Sequence, residues 1–395
     1  MTTVWTWVFA VSSCSVLYTY VVYPILLALG HAVHRWRFTP PEDQPKVRGP
    51  LPQVSVVISA HNEQAVIESK LKNLQSTDYP PDRIEFLIGS DGSTDRTNEI
   101  LLAAQGGAVK PVLYDRNRGK AAVLNDLIAG ARGEFLVFSD ANTVYSPATI
   151  RALVEGFDDP RIGGVCGELV LEADARTMGG QGESWYWRYE TAIKRWESEC
   201  GTLIGATGGV YAIRRALYEP LETSTPLTDD LLIALRVVRQ GFRVVYAPAA
   251  VASEKTPDSV SSEFRRKTRI GAQNFNTLTR IAGLLHPRHG FAAFAFFSHK
   301  IVRWAVPFLL LGITASSVAL AAQSPVYAAV AAGSGAVALL AAAGWILERA
   351  RVNLGVLGLP YYFVAMNAAL LIGFLRFAFG TQAVTWTVER DHGRA

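Results

Sequence analysis

Two long stretches of this chain carry no charge. Met1–Ala32 contains no Asp, Glu, Lys or Arg, and neither does Ala305–Leu347. Uncharged apolar runs of that length are candidates for crossing a bilayer. Cysteine is scarce as well. Cys14, Cys166 and Cys200 lie far apart with no CxxC among them, which excludes a disulfide framework or a zinc site read from spacing. Glycine-rich phosphate loops of the GxGxxG or GxxxxGK[ST] type are absent, so an ordinary dinucleotide or ATP site is excluded. No dense basic block with interleaved aromatics is found, and the net charge of +4 is modest; nucleic acid is not an expected partner. Internal repeats are absent too.

The charge concentrates between residues 50 and 280, which divides the 395 residues into membrane, soluble and membrane parts. Trp5–Leu29 is an uncharged run of 25 residues, enough for about 30 Å of hydrocarbon. A secretory signal fits poorly, because no basic n-region precedes the run and no small-x-small site follows it. His34, Arg35 and Arg37 close the run, and the positive-inside bias puts that end, and the soluble domain after it, in the cytosol. Ala305–Ala322, Val326–Leu347 and Leu354–Leu375 are three further spans, with an outer turn at Gln323–Pro325 and an inner turn at Glu348, Arg349 and Arg351. Three crossings after a cytosolic domain put the tail outside, whereas Arg390 and Arg394 favour the inside. Phe291–Pro307 contains His299, Lys300 and Arg303. A cation at mid-bilayer costs about 2.5–3.5 kcal/mol, so Lys300 and Arg303 are expected to reach the headgroups. Phe264–Leu285 reads as an amphipathic helix with a basic side, expected on an anionic lipid surface or packed on protein.

The division is therefore 1–36 membrane helix, 37–52 linker, 53–255 soluble domain, 256–304 amphipathic interface helices, 305–380 membrane helices and 381–395 tail. Within the soluble domain, Val54–Ser59, Glu85–Gly89 and Phe135–Ser139 are short buried-strand patterns alternating with helical stretches. Val165–Leu171 and Val244–Ala247 add strands. This order predicts an α/β fold with a mostly parallel sheet. Ligands in such sheets lie beyond the carboxyl ends of the strands. The loops there read AHNE, SDGSTD and DANT, and all three bear acids.

In their order along the chain, VSVVISAHNE, SDGSTDRT, RNRGKAAVLN, FSDANT, GATGGVYAIRR and TDDLLIAL resemble the membrane-bound family 2 glycosyltransferases, the group with cellulose, chitin, hyaluronan and poly-N-acetylglucosamine synthases. The resemblance implies a GT-A type nucleotide-sugar fold and a UDP-sugar donor. It implies that Ala60, Glu63, Asp91, Lys120, Asp140, Arg266 and Arg269 hold the donor, that Asp140 and Asn142 hold Mg²⁺ or Mn²⁺, that Gly208, Gly209 and Asp229 face the acceptor, and that Asp230 is the catalytic base. The chain departs from the family pattern twice. Asn142 stands where the family has a second Asp, and Arg266–Ile270 reads Arg-x-x-Arg-Ile where processive members have Gln-x-x-Arg-Trp.

The chemistry fits these residue types. A departing diphosphate needs cations, an acceptor hydroxyl needs a base, and in-line attack inverts the anomeric carbon. Asp229 beside Asp230 is expected to raise one carboxyl's pKa. Each motif also has a plainer reading: Asp229 and Asp230 as helix-capping acids, Asp91 and Asp95 as turn residues, Arg265–Arg269 as a lipid-facing run, and Trp185, Trp187 and Tyr189 as an interfacial aromatic patch. The expected function is inverting transfer from UDP-GlcNAc or UDP-glucose to a growing β-linked glycan at the cytosolic membrane face. The alternatives are transfer of one sugar to a lipid-linked acceptor, and an inactive membrane scaffold or export subunit. The partners are the donor, a glycan or lipid acceptor, membrane lipids and an export or accessory subunit.

Overall fold

Apolar runs rich in β-branched residues, too short for helices, form the centre of the sheet. In this computed structural model, β1 (Val54–Ala60) and β2 (Ile84–Asp91) are buried along their whole length. Burial on both faces is what parallel strands covered by crossover helices require. The remaining strands are β3 (Val109–Tyr114), β4 (Phe135–Phe138), β5 (Val144–Tyr145), β6 (Ile162–Glu172), β7 (Tyr211–Arg214) and β8 (Arg243–Lys255). They form one sheet in the order β3-β2-β1-β4-β7-β6-β8-β5. β3, β2, β1 and β4 are mutually parallel, as are β6 and β8, while β7 runs antiparallel between β4 and β6. The structure describes residues 1–37, 50–172, 178–255, 260–350 and 358–385, and side chains within these except 37 and 178–186. Most of the linker, the Trp185 side chain, Arg351 and the tail arginines lie outside the described residues.

Thirteen α-helices complete the described chain. α1 (Thr2–Leu17) and α2 (Tyr23–Arg37) are joined by a π-turn at Tyr18–Val22. α3 (Ile67–Gln75), α4 (Thr97–Ala103), α5 (Lys120–Ala129) and α6 (Thr149–Glu155) cover the sheet, with Ile67, Leu71, Leu74, Leu124 and Leu127 in its core. α7 (Met178–Cys200) and α8 (Asp229–Arg239) follow, then the basic α9 (Val260–Ile281). α10 (Phe291–Ala295) and α11 (Val302–Leu320) are joined by a second π-turn at Phe296–Ile301, and α12 (Pro325–Arg349) and α13 (Leu359–Ala378) end the bundle. Among the described residues, four helical stretches are long and apolar enough to cross a membrane: Thr2–Trp36, Phe291–Leu320, Pro325–Arg349 and Leu359–Ala378.

One expectation about the membrane part changes. Lys300 and Arg303 do not reach outward from an interfacial segment. They lie inside the second span, where Arg303 Nη1 donates to Glu190 Oε2 at 2.7 Å and Lys300 Nζ is 3.5 Å from Glu190 Oε1. Pairing with a carboxylate of α7 removes most of the insertion penalty that a lone cation would carry. The last candidate span packs closely on the soluble part's own helix α9. α13 runs alongside α9: Tyr361 and Ala365 cluster with Val260, Gly373 packs on Gly271, and Phe374 and Phe377 pack on Phe275. Beyond α13, Val384 packs against Gly119 of the soluble domain. The described chain therefore ends on the face of the sheet that carries the acidic loops.

Candidate active site

The topology sets the crevice. β1 leads through α3 to β2 on one side, and the chain later returns through α5 to β4 on the other side of β1. A ligand crevice forms where the direction of winding reverses, and the loops after β1 and β4 flank it. Ala60 ends β1 and is fully buried. Asn62 adopts a left-handed φ of 55°, which Asn tolerates better than most residues. Its Oδ1 accepts from Thr94 N at 2.8 Å, and the buried Glu63 donates its N–H to Thr97 Oγ1 at 2.8 Å. The loops after β1 and β2 are thus laced into one wall.

Asp91 is fully buried at the end of β2. Its Oδ1 accepts from Arg118 N at 2.7 Å and its Oδ2 from Gly119 N at 2.8 Å. Gly92 makes that approach possible: its φ is 64°, and a Cβ there would lie 2.4 Å from the backbone of Arg116 and Asn117. Asp91 so fixes the turn that opens α5, and Lys120 is the first residue of that helix. Each carboxylate oxygen retains a second lone pair.

The centre of the site is a cluster of charges from three separate elements. Lys120 Nζ lies 2.9 Å from Asp140 Oδ1, after β4, and 3.1 Å from Asp229 Oδ2, at the start of α8. Burial works against the Lys120 charge, but Asp140, Asp229 and Asp230 outweigh it and raise its pKa. Burial likewise opposes ionisation of Asp140, and the charges of Lys120, Lys70 and Arg269 more than compensate, holding it below the usual carboxylate range. Asp230 goes the other way. Burial first and repulsion from Asp229 second push it up to about 6. Asp230 Oδ1 accepts from Leu231 N at 2.7 Å, and Oδ2 faces Gly208. A Cβ built on Gly208 would stand 3.2 Å from Asp230 Oδ2 and 3.5 Å from Asp140 Oδ2. The absent side chain of Gly208 therefore leaves one small space lined by two carboxylate oxygens.

Gly209 serves packing. Its Cβ position is 2.6 Å from Thr143 Oγ1, and its carbonyl accepts from Tyr145 OH at 3.0 Å. Asn142 stands at the rim and donates Nδ2 to Glu254 Oε1 at 2.8 Å, which leaves its amide oxygen as the group able to meet a cation. The two arginines of α9 separate. Arg269 lies near enough to Asp140 to lower its pKa, whereas Arg266 forks onto Glu263 at 2.7 and 3.0 Å.

Three features were not singled out from sequence. Lys70 of α3 is buried beneath the β4–β5 turn, donating to Ser139 Oγ at 2.7 Å and to Thr143 O at 2.6 Å. The Tyr211 hydroxyl is buried near Asp229 and Asp230 and finds no hydrogen-bond partner among the described residues. Thr228 ties the start of α8 to α9, donating Oγ1 to Asn274 Oδ1 at 2.8 Å and N–H to Thr277 Oγ1 at 3.0 Å. Only Thr228 carried a signal, as the residue before an acidic helix start.

A mostly parallel sheet with an acidic, lysine-bridged crevice at its switch point, carried on apolar helices, defines a GT-A type fold in a membrane protein. Residues 55–221 match the model of Glycosyl transferase family 2. Over these residues the chain thus carries a Glycosyl transferase family 2 domain. It is 28% identical over 278 residues to "Probable glycosyltransferase YdaM" of Bacillus subtilis (strain 168), covering 66% of this chain and 65% of the relative. It is 26% identical over 232 residues to "Poly-beta-1,6-N-acetyl-D-glucosamine synthase" of Staphylococcus epidermidis, covering 58% and 56%. The match thus spans less than two thirds of the length of these curated relatives. Among solved structures, the mannosyltransferase PcManGT from Pyrobaculum calidifontis, in complex with GDP-Man and Mn²⁺, shares the fold with a TM-score of 0.69 and 22% identity, covering 94% of this chain and 99% of that one.

Proposed function

We propose that this chain is an inverting glycosyltransferase that moves a sugar from a nucleotide diphosphate, UDP-GlcNAc or UDP-glucose, onto a β-linked glycan at the cytosolic membrane face. The observation that carries the reading is the space at Gly208, lined by Asp230 Oδ2 and Asp140 Oδ2 and flanked by the Lys120 bridge. One carboxyl there is held ionised and the other is raised. Environments that push two acids apart are how acid–base roles are divided.

Asp230 takes the proton of the acceptor hydroxyl through Oδ2, because Oδ1 is committed to Leu231 N. Asp91 offers its remaining lone pairs to a base edge and shapes the turn from which Lys120 reaches the diphosphate. Arg269 adds positive charge on the same side, and Arg266 follows only by leaving Glu263. The oxygen donors fit a hard divalent cation, Mg²⁺ or Mn²⁺. Asp140 would hold it through Oδ2, the oxygen that Lys120 leaves open, and Asn142 through its amide oxygen. When bound, such an ion would neutralise charge on the departing diphosphate. Among the described residues no group of three or more His, Cys, Asp or Glu side chains forms a cation site. The diphosphate of a bound donor would then have to supply the remaining ligands.

Orientation follows from charge and layout. His34 and Arg35 close the first span on the domain's side, and Val384 returns to that same side. With α13 lying along α9, three crossings remain, and the basic tail falls in the cytosol with the catalytic domain.

A second reading, transfer of one sugar to a lipid-linked acceptor, is favoured by Ile270 standing where processive members carry Trp. The purified chain is incubated with radiolabelled UDP-GlcNAc, UDP-glucose and GDP-mannose, with Mg²⁺ or Mn²⁺, and the products are sized. A ladder supports the synthase and a single lipid-mobile product the second reading. No product from any donor, with Asp230→Asn indistinguishable from the unaltered chain, leaves the scaffold reading standing.

A further inference from the structure

Behind the acceptor side of the crevice lies a second cluster of buried charges that the chemistry above does not use. Glu197, near the end of α7, is fully buried. Its Oε1 accepts from Tyr23 OH on the first span at 2.7 Å, and His299 Nδ1 on the second span lies 2.7 Å from the same oxygen. Its Oε2 accepts from Ile204 N at 3.1 Å. His299 Nε2 is 3.0 Å from Glu190 Oε1, and Glu190 in turn takes Arg303. The two π-turns meet at this level, with Tyr18 OH and Ser298 Oγ 2.6 Å apart. Such turns inside helices often mark functional positions.

One carboxylate thus joins both spans to the segment 201–209, which ends in Gly208 at the reacting space. That segment is held from α7 at two more points, by Glu197 O accepting from Gly201 N at 3.0 Å and by Lys194 Nζ donating to Thr207 Oγ1 at 2.7 Å. Lys300, next to His299, brings Cε to 4.0 Å from the Cβ position of Gly205. Segment 201–209 has no regular structure until β7, so tethers of this kind set where Gly208 stands.

We infer that Glu197 is a positioning residue that couples the two spans to the acceptor-side loop, so that the placement of Gly208 and Asp230 for an incoming acceptor depends on how the spans sit in the bilayer. The inference rests on the transferase reading for its kinetic consequence alone. Glu197→Gln keeps the volume but replaces one acceptor oxygen by a donor. One of Tyr23 OH, His299 and Ile204 N–H then loses its partner. Tyr23→Phe removes a single hydroxyl on the span side and leaves the loop's own bond to Glu197 untouched.

Both variants are made in the full chain in nanodiscs and followed by hydrogen–deuterium exchange and kinetics. Each is expected to speed amide exchange across 201–209 by about tenfold while β1 and β2 keep their rates. Each is also expected to raise the acceptor KM by about tenfold, with the donor KM and acceptor-independent donor hydrolysis within about twofold. The coupling is overturned if Tyr23→Phe leaves exchange in 201–209 unchanged, or if donor and acceptor KM rise together. Where Glu197→Gln does not fold, Tyr23→Phe and His299→Gln decide. An unaltered chain that neither transfers nor hydrolyses any donor sinks the transferase reading, and the exchange result still decides the coupling.

Discussion

Gly208 and Asp230 meet across the crevice with room between them for less than a methyl group: a Cβ on Gly208 would stand 3.2 Å from Asp230 Oδ2. Only a glycine therefore fits beside Asp230 Oδ2 without crowding it, and the raised pKa of Asp230 gives it two measurable signatures. As a base it must be ionised, so kcat/KM is expected to fall as pH drops through about 6. Asp230→Asn should abolish transfer, by about a thousandfold or more, with donor binding retained.

The same shift has the opposite sign for stability. A carboxyl with a raised folded-state pKa protects the fold only while it is protonated. Its cost builds up as pH rises from the unfolded value of 3.8 to about 6 and is complete above that. Asp230→Asn is thus expected to raise the melting temperature at pH 7 and to leave it unchanged near pH 3.5. The gain corresponds to at most about 3 kcal/mol. A variant that loses both activity and stability at pH 7 would show that Asp230 serves packing alone.

Asn142 removes one negative charge from the place where the resemblance leads one to expect a pair. Asn142→Asp should tighten Mn²⁺ binding, measured by titration with donor present, by about tenfold. It should also cost stability, because the new carboxylate would face Glu254 in place of the 2.8 Å hydrogen bond. The expected loss is about 1 kcal/mol, read from denaturant midpoints. An unchanged metal affinity would remove Asn142 from the cation site.

Lys70 holds the same turn from beneath. Lys70→Met keeps the length of the side chain and deletes the two donors that reach Ser139 Oγ and Thr143 O. With Tyr145 OH still bonded to Gly209 O, the turn should loosen without unfolding the sheet. The expectation is a loss of about 2–3 kcal/mol in stability and a raised donor KM. Burial lowers the Lys70 pKa to about 7 against the pull of Asp140, so keeping its charge costs the fold stability in full below about pH 7, and the cost fades as pH rises from there toward the ordinary value of 10.5. The Lys70→Met deficit should accordingly be smaller at pH 6 than at pH 8.

Much of this site could be read from the chain because strand ends announce themselves. VSVVIS, FLIG and FLVF are apolar runs that stop at polar, acid-bearing loops, and the carboxyl ends of parallel strands are where ligands bind. What sequence did not reveal has physical reasons. β3 is an edge strand, half-exposed and interrupted by Lys110 and Pro111, so it shows no buried run. β7 has four residues inside a motif that reads as a loop. Lys70 and Lys72 look alike beside Leu71, and only the fold distinguishes the buried one from the exposed one. Lys300 and Arg303 were expected at the headgroups because their partner, Glu190, lies 113 positions before Arg303, out of reach of any window that judges a span by its own composition.

The end of the chain gives the last test. A count of hydrophobic runs puts the tail across the bilayer from the domain, yet Val384 touches Gly119, the residue before Lys120. The difference lies in α13, which is apolar enough to cross but packs along the basic α9 from Tyr361 to Phe377. Single cysteines at Thr2, Arg96 and Ala395, in a chain whose Cys14, Cys166 and Cys200 are replaced by Ser, report the side of each position to a membrane-impermeant maleimide. Thr2→Cys should react in intact cells, whereas Arg96→Cys and Ala395→Cys should react only after the cells are opened. Labelling of Ala395→Cys in intact cells, with Arg96→Cys protected, would mean that α13 crosses the bilayer and that the contact between Val384 and Gly119 does not form. The tie of Glu197 to the first and second spans, which does not involve α13, would stand either way.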